Sequence, residues 1–150
     1  MVRSMQGKHP NYYEALLQLR DVSPEIIEFA ENEIDRVKLL VSKQKELKNG
    51  MDYYCSDSSL TRALGKRLQD KFGGELKVTA TLHTKKDNKE LYRTTVLFRE
   101  AQFKKGDEVK YLGETYLVRS MDGKIFLQNL KTGEKIHLKY KEMSLIKKVN

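Results

Sequence analysis

Gly50-Met-Asp-Tyr-Tyr-Cys-Ser-Asp-Ser-Ser-Leu-Thr-Arg-Ala-Leu-Gly-Lys-Arg-Leu-Gln-Asp-Lys-Phe-Gly73 decides the fold of this 150-residue chain. Met51–Cys55 reads as a short strand that stops at a polar turn. Asp57, Ser58 or Ser59 supplies the side-chain acceptor that the first free N–H groups of a helix need. Leu60, Leu64, Leu68 and Phe72 then recur at four-residue steps and face inward, and Gly73-Gly74 supplies the left-handed residue that ends the helix. The outer face is basic: Arg62 and Lys66 lie four apart, as do Arg67 and Lys71, and project as two adjacent rows.

Upstream, Tyr12 to Arg20 alternates, with Tyr13, Ala15, Leu17 and Leu19 on one face, which is a strand pattern. Ser23 at the N-cap and Pro24 at the first helical position start another helix. Its buried stripe is Ile27, Ala30, Ile34, Val37 and Val41, and the stretch Ser42–Gly50 frays into a turn. Downstream, Leu76, Val78, Ala80 and Leu82 alternate with polar residues. Lys85–Lys89 is a hairpin loop, and Leu91 to Phe98 returns antiparallel. The predicted order is βαβαββ over residues 1–99, an α+β fold with two helices on one face of a mixed four-stranded sheet.

From Glu100 the character changes. Short strands at Glu108–Tyr111, Glu114–Ser120, Lys124–Asn129 and Glu134–Tyr140 are separated by Leu112-Gly113, Asp122-Gly123 and Thr132-Gly133, of which the last two are hairpin signals. Residues 100–150 are therefore predicted to be a small all-β, SH3-like barrel, packed on the first domain because so small a core is marginal alone.

Composition bounds the function. With 39% hydrophobic and 33% charged residues the chain can build a core under a densely charged surface. No run approaches the ~18 apolar residues that span a bilayer, and the first residues lack a signal-peptide stretch. Cys55 is the single cysteine and His9, His83 and His137 are scattered, so no metal-ligand spacing occurs. A cytoplasmic protein with no metal, cofactor, membrane contact or small-molecule substrate is expected. The net charge of +8 points to a polyanionic partner. It is unevenly spread: Asp21 to Asp35 holds six acids and no base, so a two-sided protein is predicted.

The candidate nucleic-acid-binding residues are Arg62, Lys66, Arg67 and Lys71 on the second helix, Lys85, Lys86 and Lys89 in the hairpin loop, and Lys104 and Lys105 in the linker. Lys110, Lys139, Lys141, Lys147 and Lys148 extend the linker pair on the barrel. Each cation that meets a phosphate displaces condensed counterions. Among the aromatics, core is the commoner fate, with Tyr13 assigned inside and Tyr12 and Tyr53 outside. Asp52 and Asp57 flank the strand-to-helix turn, yet capping accounts for Asp57 and no nucleophile–base pair accompanies them, so no catalytic residue is assigned.

Gly-apolar-Asp-aromatic-aromatic at Gly50–Tyr54, the internal Thr61-Arg62 step and Leu68-Gln69, with Tyr12-Tyr-Glu-Ala15 and Leu17-Gln-Leu-Arg20, together resemble the nonsense-mediated decay protein three family, the export adaptors of the large ribosomal subunit. Lys105-Gly-Asp-x-Val109 is similar to the first barrel strand of translation and ribosomal proteins, and the archaeal members look closest. The resemblance implies a ribosomal-protein-like domain followed by one resembling translation factor five A, and binding to the joining face of the large subunit late in its assembly. Family members begin with cysteine pairs that hold zinc, which this chain lacks, so it reads either as a carboxy-terminal part or as a relative that lost that module. The expected function is a non-enzymatic factor that binds large-subunit ribosomal RNA. The alternative is a protein-interaction module that docks a basic ribosomal protein on the acidic helix or on an open strand edge.

Overall fold

The computed structural model describes residues 13–86 and 89–149, with the side chains of residues 83–91 outside that description. Tyr12 and the side chains of His83, Lys85, Lys86 and Lys89 therefore lie outside the described residues. Strand β1 (Ala15–Arg20) buries Ala15, Leu17 and Leu19 completely and leaves Leu16, Gln18 and Arg20 half-exposed, as its alternation demands. Helix α1 (Pro24–Arg36) starts behind an extended Ser23 with proline in its first turn, though the Ser23 hydroxyl makes no capping bond. The Ser23 N–H instead donates to Glu100 Oε1 at 2.9 Å.

The first correction comes at the end of α1. The helix stops at Arg36, and Lys38 takes a positive φ of 58° that turns the chain back. Val41 is not part of the helical stripe: it opens strand β2 (Val41–Leu47), where a turn was predicted. The stripe itself is Ile26, Ala30 and Ile34, with Ile27 and Val37 packed at its margin. The element order is therefore βαββαββ rather than βαβαββ. Strand β3 (Gly50–Cys55) follows β2 through a tight hairpin. Gly50 is required there by close approach, since a Cβ at this position would stand 1.7 Å from the Leu19 carbonyl oxygen.

Helix α2 (Ser58–Phe72) is capped by Asp57, whose carboxylate accepts the Leu60 N–H at 2.8 Å. It buries Leu64 and Leu68 and ends at Gly73, φ 79°. Strands β4 (Gly74–Lys86) and β5 (Lys89–Glu100) form an antiparallel hairpin whose paired strands reach Lys86 and Lys89, shortening the predicted loop. Among the described residues the sheet has five strands in the order β2-β3-β1-β5-β4, with β1 antiparallel to β3 and parallel to β5. Both helices cover one face, and their side chains close a core around Leu17, Leu19, Tyr53, Val96 and Phe98. Each such fully buried side chain contributes about 1.5–3 kcal/mol. Tyr53, expected outside, is fully buried, and its hydroxyl donates to Glu31 Oε2 at 2.7 Å. That partner is what lets a phenol sit in the core.

Strands β6 (Glu108–Tyr111), β7 (Glu114–Ser120), β8 (Ile125–Asn129), β9 (Lys135–Leu138) and β10 (Ile146–Lys148) build a second, antiparallel sheet in the order β10-β6-β7-β8-β9. It is an open sheet: β9 and β10 are its two edges, so the strands of the predicted SH3-like barrel do not close. A 3₁₀ helix (Tyr140–Leu145) separates those two strands and places Tyr140 and Met143 in the second core, beside Ala101, Phe103, Val118 and Leu127. The sheets meet at Gly73, whose carbonyl accepts the Ala101 N–H at 3.3 Å. The Tyr140 hydroxyl donates to the Met121 carbonyl beside it.

Candidate nucleic-acid interface

All four predicted cations of α2 reach the surface, but each is engaged. Arg67 lies 2.5 Å from Glu33 of α1, a carboxylate almost fully buried that Arg36 also contacts. The Arg36 hydrogen bond, and then the Arg36 and Arg67 charges, hold the Glu33 carboxyl below its usual range against the opposing effect of burial. Lys66 pairs with Asp70 at 3.2 Å. Lys71 sits 5.3 Å from the centroid of Phe29 and 5.7 Å from that of Phe72. Arg62 donates to Thr94 Oγ1 at 3.4 Å. Helix α2 therefore lies against the acidic α1, and Arg67 ties the two together.

The backbones of Lys85, Lys86 and Lys89 belong to the outer ends of β4 and β5. Lys104 and Lys105 are exposed, with the Lys104 N–H bound to Asp107 at 2.8 Å. On the second sheet Lys110 and Lys147 face each other directly across β6 and β10. Like charges so placed repel, and a bound anion relieves that repulsion.

The uncovered face of the first sheet holds a set of residues that sequence reasoning did not assemble. Register brings Leu16, Gln18 and Arg20 of β1 beside Tyr54 and Asp52 of β3, and beside Thr95, Leu97 and Arg99 of β5. Lys43 and Lys45 of β2 flank Tyr54 and Asp52 on one side. On the other, Lys77, Thr79 and Thr81 of β4 lie opposite Leu97, Thr95 and Arg93. Six cations thus share this face. Arg20 is neutralised by Asp52 at 2.8 Å, and Arg99 by Asp21. Lys43, Lys45, Lys77 and Arg93 have no carboxylate partner among the described residues. Two of these stand over rings: Arg93 is 3.8 Å from the centroid of Tyr13, and Lys43 is 5.5 Å from that of Tyr54. The two tyrosines meet edge to face at 4.9 Å. A flat surface of cations, half-exposed rings and threonine hydroxyls suits an oligonucleotide better than a small substrate. The helical side is mixed in charge, with Glu25 and Glu28 of α1 exposed alongside the cations of α2.

Compared with known families, residues 12–99 match the second domain of NMD3. The chain belongs to the NMD3 family. NMD3 proteins are linked to the binding and export of ribosomal subunits, so membership implies association with a ribosomal subunit. The match takes in the whole first sheet and both helices, beyond the Gly50–Phe98 stretch that carries the resemblance most strongly. No curated protein matches the chain. In this NMD3 domain no three His, Cys, Asp or Glu side chains among the described residues gather as a metal site, and no helix is long and apolar enough to cross a membrane. The uncovered face had one legible signal. Two helices cover only one side of such a sheet, so the polar positions of β1, β4 and β5 share the other.

Proposed function

We propose that this chain is a non-enzymatic factor that binds ribosomal RNA of the large subunit during late subunit biogenesis, in the cytoplasm. The observation that carries the reading is an NMD3 domain whose uncovered sheet face bears four cations without carboxylate partners, two of them over tyrosine rings. The acidic side chains nearest the strand-to-helix turn are already committed, Asp57 to capping α2 and Asp52 to Arg20, which favours binding over acid–base chemistry. Affinity comes mainly from phosphate neutralisation by this face, helped by Arg62, by the lysines of the β4–β5 hairpin and by the opposed pair Lys110 and Lys147. With roughly six phosphates contacted, affinity falls about a thousandfold between 50 and 200 mM salt.

A second reading is favoured by the exposed Glu25 and Glu28 of α1, which suit a basic ribosomal-protein tail. Sedimentation of tagged protein with separated ribosomal subunits tests the first reading, and preference for the large subunit is the expected result. Filter binding to bare ribosomal RNA against stripped ribosomal proteins separates the two. Binding to the proteins alone overturns the RNA reading.

A further inference from the structure

We propose that a notch lined by Tyr13, Leu16, Thr81, Leu82, Arg93 and Thr95 is a subsite for one unpaired nucleobase of RNA, an inference that rests on the RNA-binding reading above.

The notch arises from a mismatch in strand length. Strand β1 begins at Ala15, opposite Thr94, whereas β5 begins five residues earlier at Lys89. Among the described residues the sheet loses a strand at that point and leaves a step, floored by β4 and β5 and walled by Tyr13. The resulting cavity, about 270 Å³, lies below the ~300–1,000 Å³ of sites that enclose drug-sized ligands. It suits a single ring system.

Its chemistry matches a base. The Arg93 guanidinium is fixed by two contacts, the Tyr13 ring at 3.8 Å and a bond from its Nε to the Tyr13 carbonyl at 3.2 Å. It therefore lines the notch as a planar cation in a set orientation, the geometry on which a base stacks. Leu16 and Leu82 offer apolar surface, and Thr81 and Thr95 offer hydroxyls to the base edge. Among the described residues no acidic side chain lines the notch. Arg62, reaching Thr94 Oγ1 at the rim, is placed to meet the phosphate of the same nucleotide. A fully paired duplex presents no free base and cannot use the subsite.

The test compares a labelled ten-nucleotide single-stranded RNA with a duplex RNA of the same length, each titrated against the intact chain. Two variants are used. Arg93→Lys keeps the charge and removes the planar fork; Thr81→Tyr fills the notch from an exposed strand position without altering Arg93. Each should lose roughly tenfold on the single strand, with duplex affinity and the salt slope unchanged. Single-strand binding that survives both substitutions, or a loss equal on both RNAs, overturns the subsite. If the unaltered chain also binds the large subunit in that case, the ribosomal reading stands without the notch. If the unaltered chain binds neither RNA nor subunit, the ribosomal reading itself falls.

Discussion

Removing charge from the uncovered sheet face should change the salt dependence of RNA binding by a calculable amount. Lys45 and Lys77 lie on opposite flanks of that face, are exposed, and pair with no carboxylate among the described residues. Replacing both with glutamine should leave stability within about 0.5 kcal/mol, as for other surface changes away from structural contacts. If each lysine neutralises one phosphate, the slope of log K against log salt should become shallower by about 1.8 on helical RNA, or about 1.4 on a single strand. At 0.15 M salt the first figure corresponds to about 1.5 log units, a roughly thirtyfold loss of affinity. The control is Lys66→Gln with Lys71→Gln on α2, where Asp70 and the Phe29 and Phe72 rings already engage the two cations. Filter binding to large-subunit ribosomal RNA between 50 and 200 mM salt reads both slopes. The reasoning is refuted if the α2 pair flattens the slope and the sheet pair leaves it unchanged.

Three further outcomes are expected. Gly50→Ala should destabilise the fold by roughly 3 kcal/mol or more, because its Cβ would overlap the Leu19 carbonyl; a thermal melt should show a fall of about 10 °C. Glu33→Gln should cost about 1–2 kcal/mol at pH 7, since it unpairs Arg36 and Arg67 from α1, and both arginines keep partial access to water. The folded-state pKa of Glu33 lies below the unfolded value near 4.5, so its contribution is full above that pH and is lost as pH falls through the folded value. Denaturant titrations of the two proteins should therefore differ at neutral pH and converge as the pH falls below 4.5 through the folded value. Cys55, whose thiol burial pushes up to about 12, should resist a thiol reagent at pH 8 in the native protein and react once the chain is unfolded.

The parts of the fold legible in the sequence are those set by local periodicity. Ala15-Leu16-Leu17-Gln18-Leu19 alternates because one face of β1 is buried, and Leu64 and Leu68 recur because α2 is amphipathic. Strand β2 was hidden for two reasons. Val41 follows Val37 at a helical step, which extends the apparent stripe of α1, and Ser42-Lys-Gln-Lys-Glu46 shows no alternation because an edge strand has little to bury. The reversal that separates α1 from β2 depends on Lys38 at positive φ, a conformation that a lysine, unlike a glycine, does not announce. The openness of the second sheet was equally invisible, since whether β9 and β10 pair with each other is a non-local property. For the candidate site, α2 gave its cations away by spacing alone. The uncovered face did not: Lys43 lies 11 residues from Tyr54, and Arg93 lies 80 from Tyr13. Only register brings these groups together.

The joint at Gly73 has a mechanical consequence. Ala101 and Phe103, which lead from one sheet to the next, are themselves buried in the second core, and a Cβ on Gly73 would lie 3.3 Å from Met121 and 3.4 Å from the Tyr140 hydroxyl. The link between the two sheets is therefore packed against the second core rather than a free tether. If both sheets contact one particle, seating the first raises the effective concentration of the second, so affinity for the assembled particle should exceed that for either contact alone. It should also fall away when the particle's own geometry is immature.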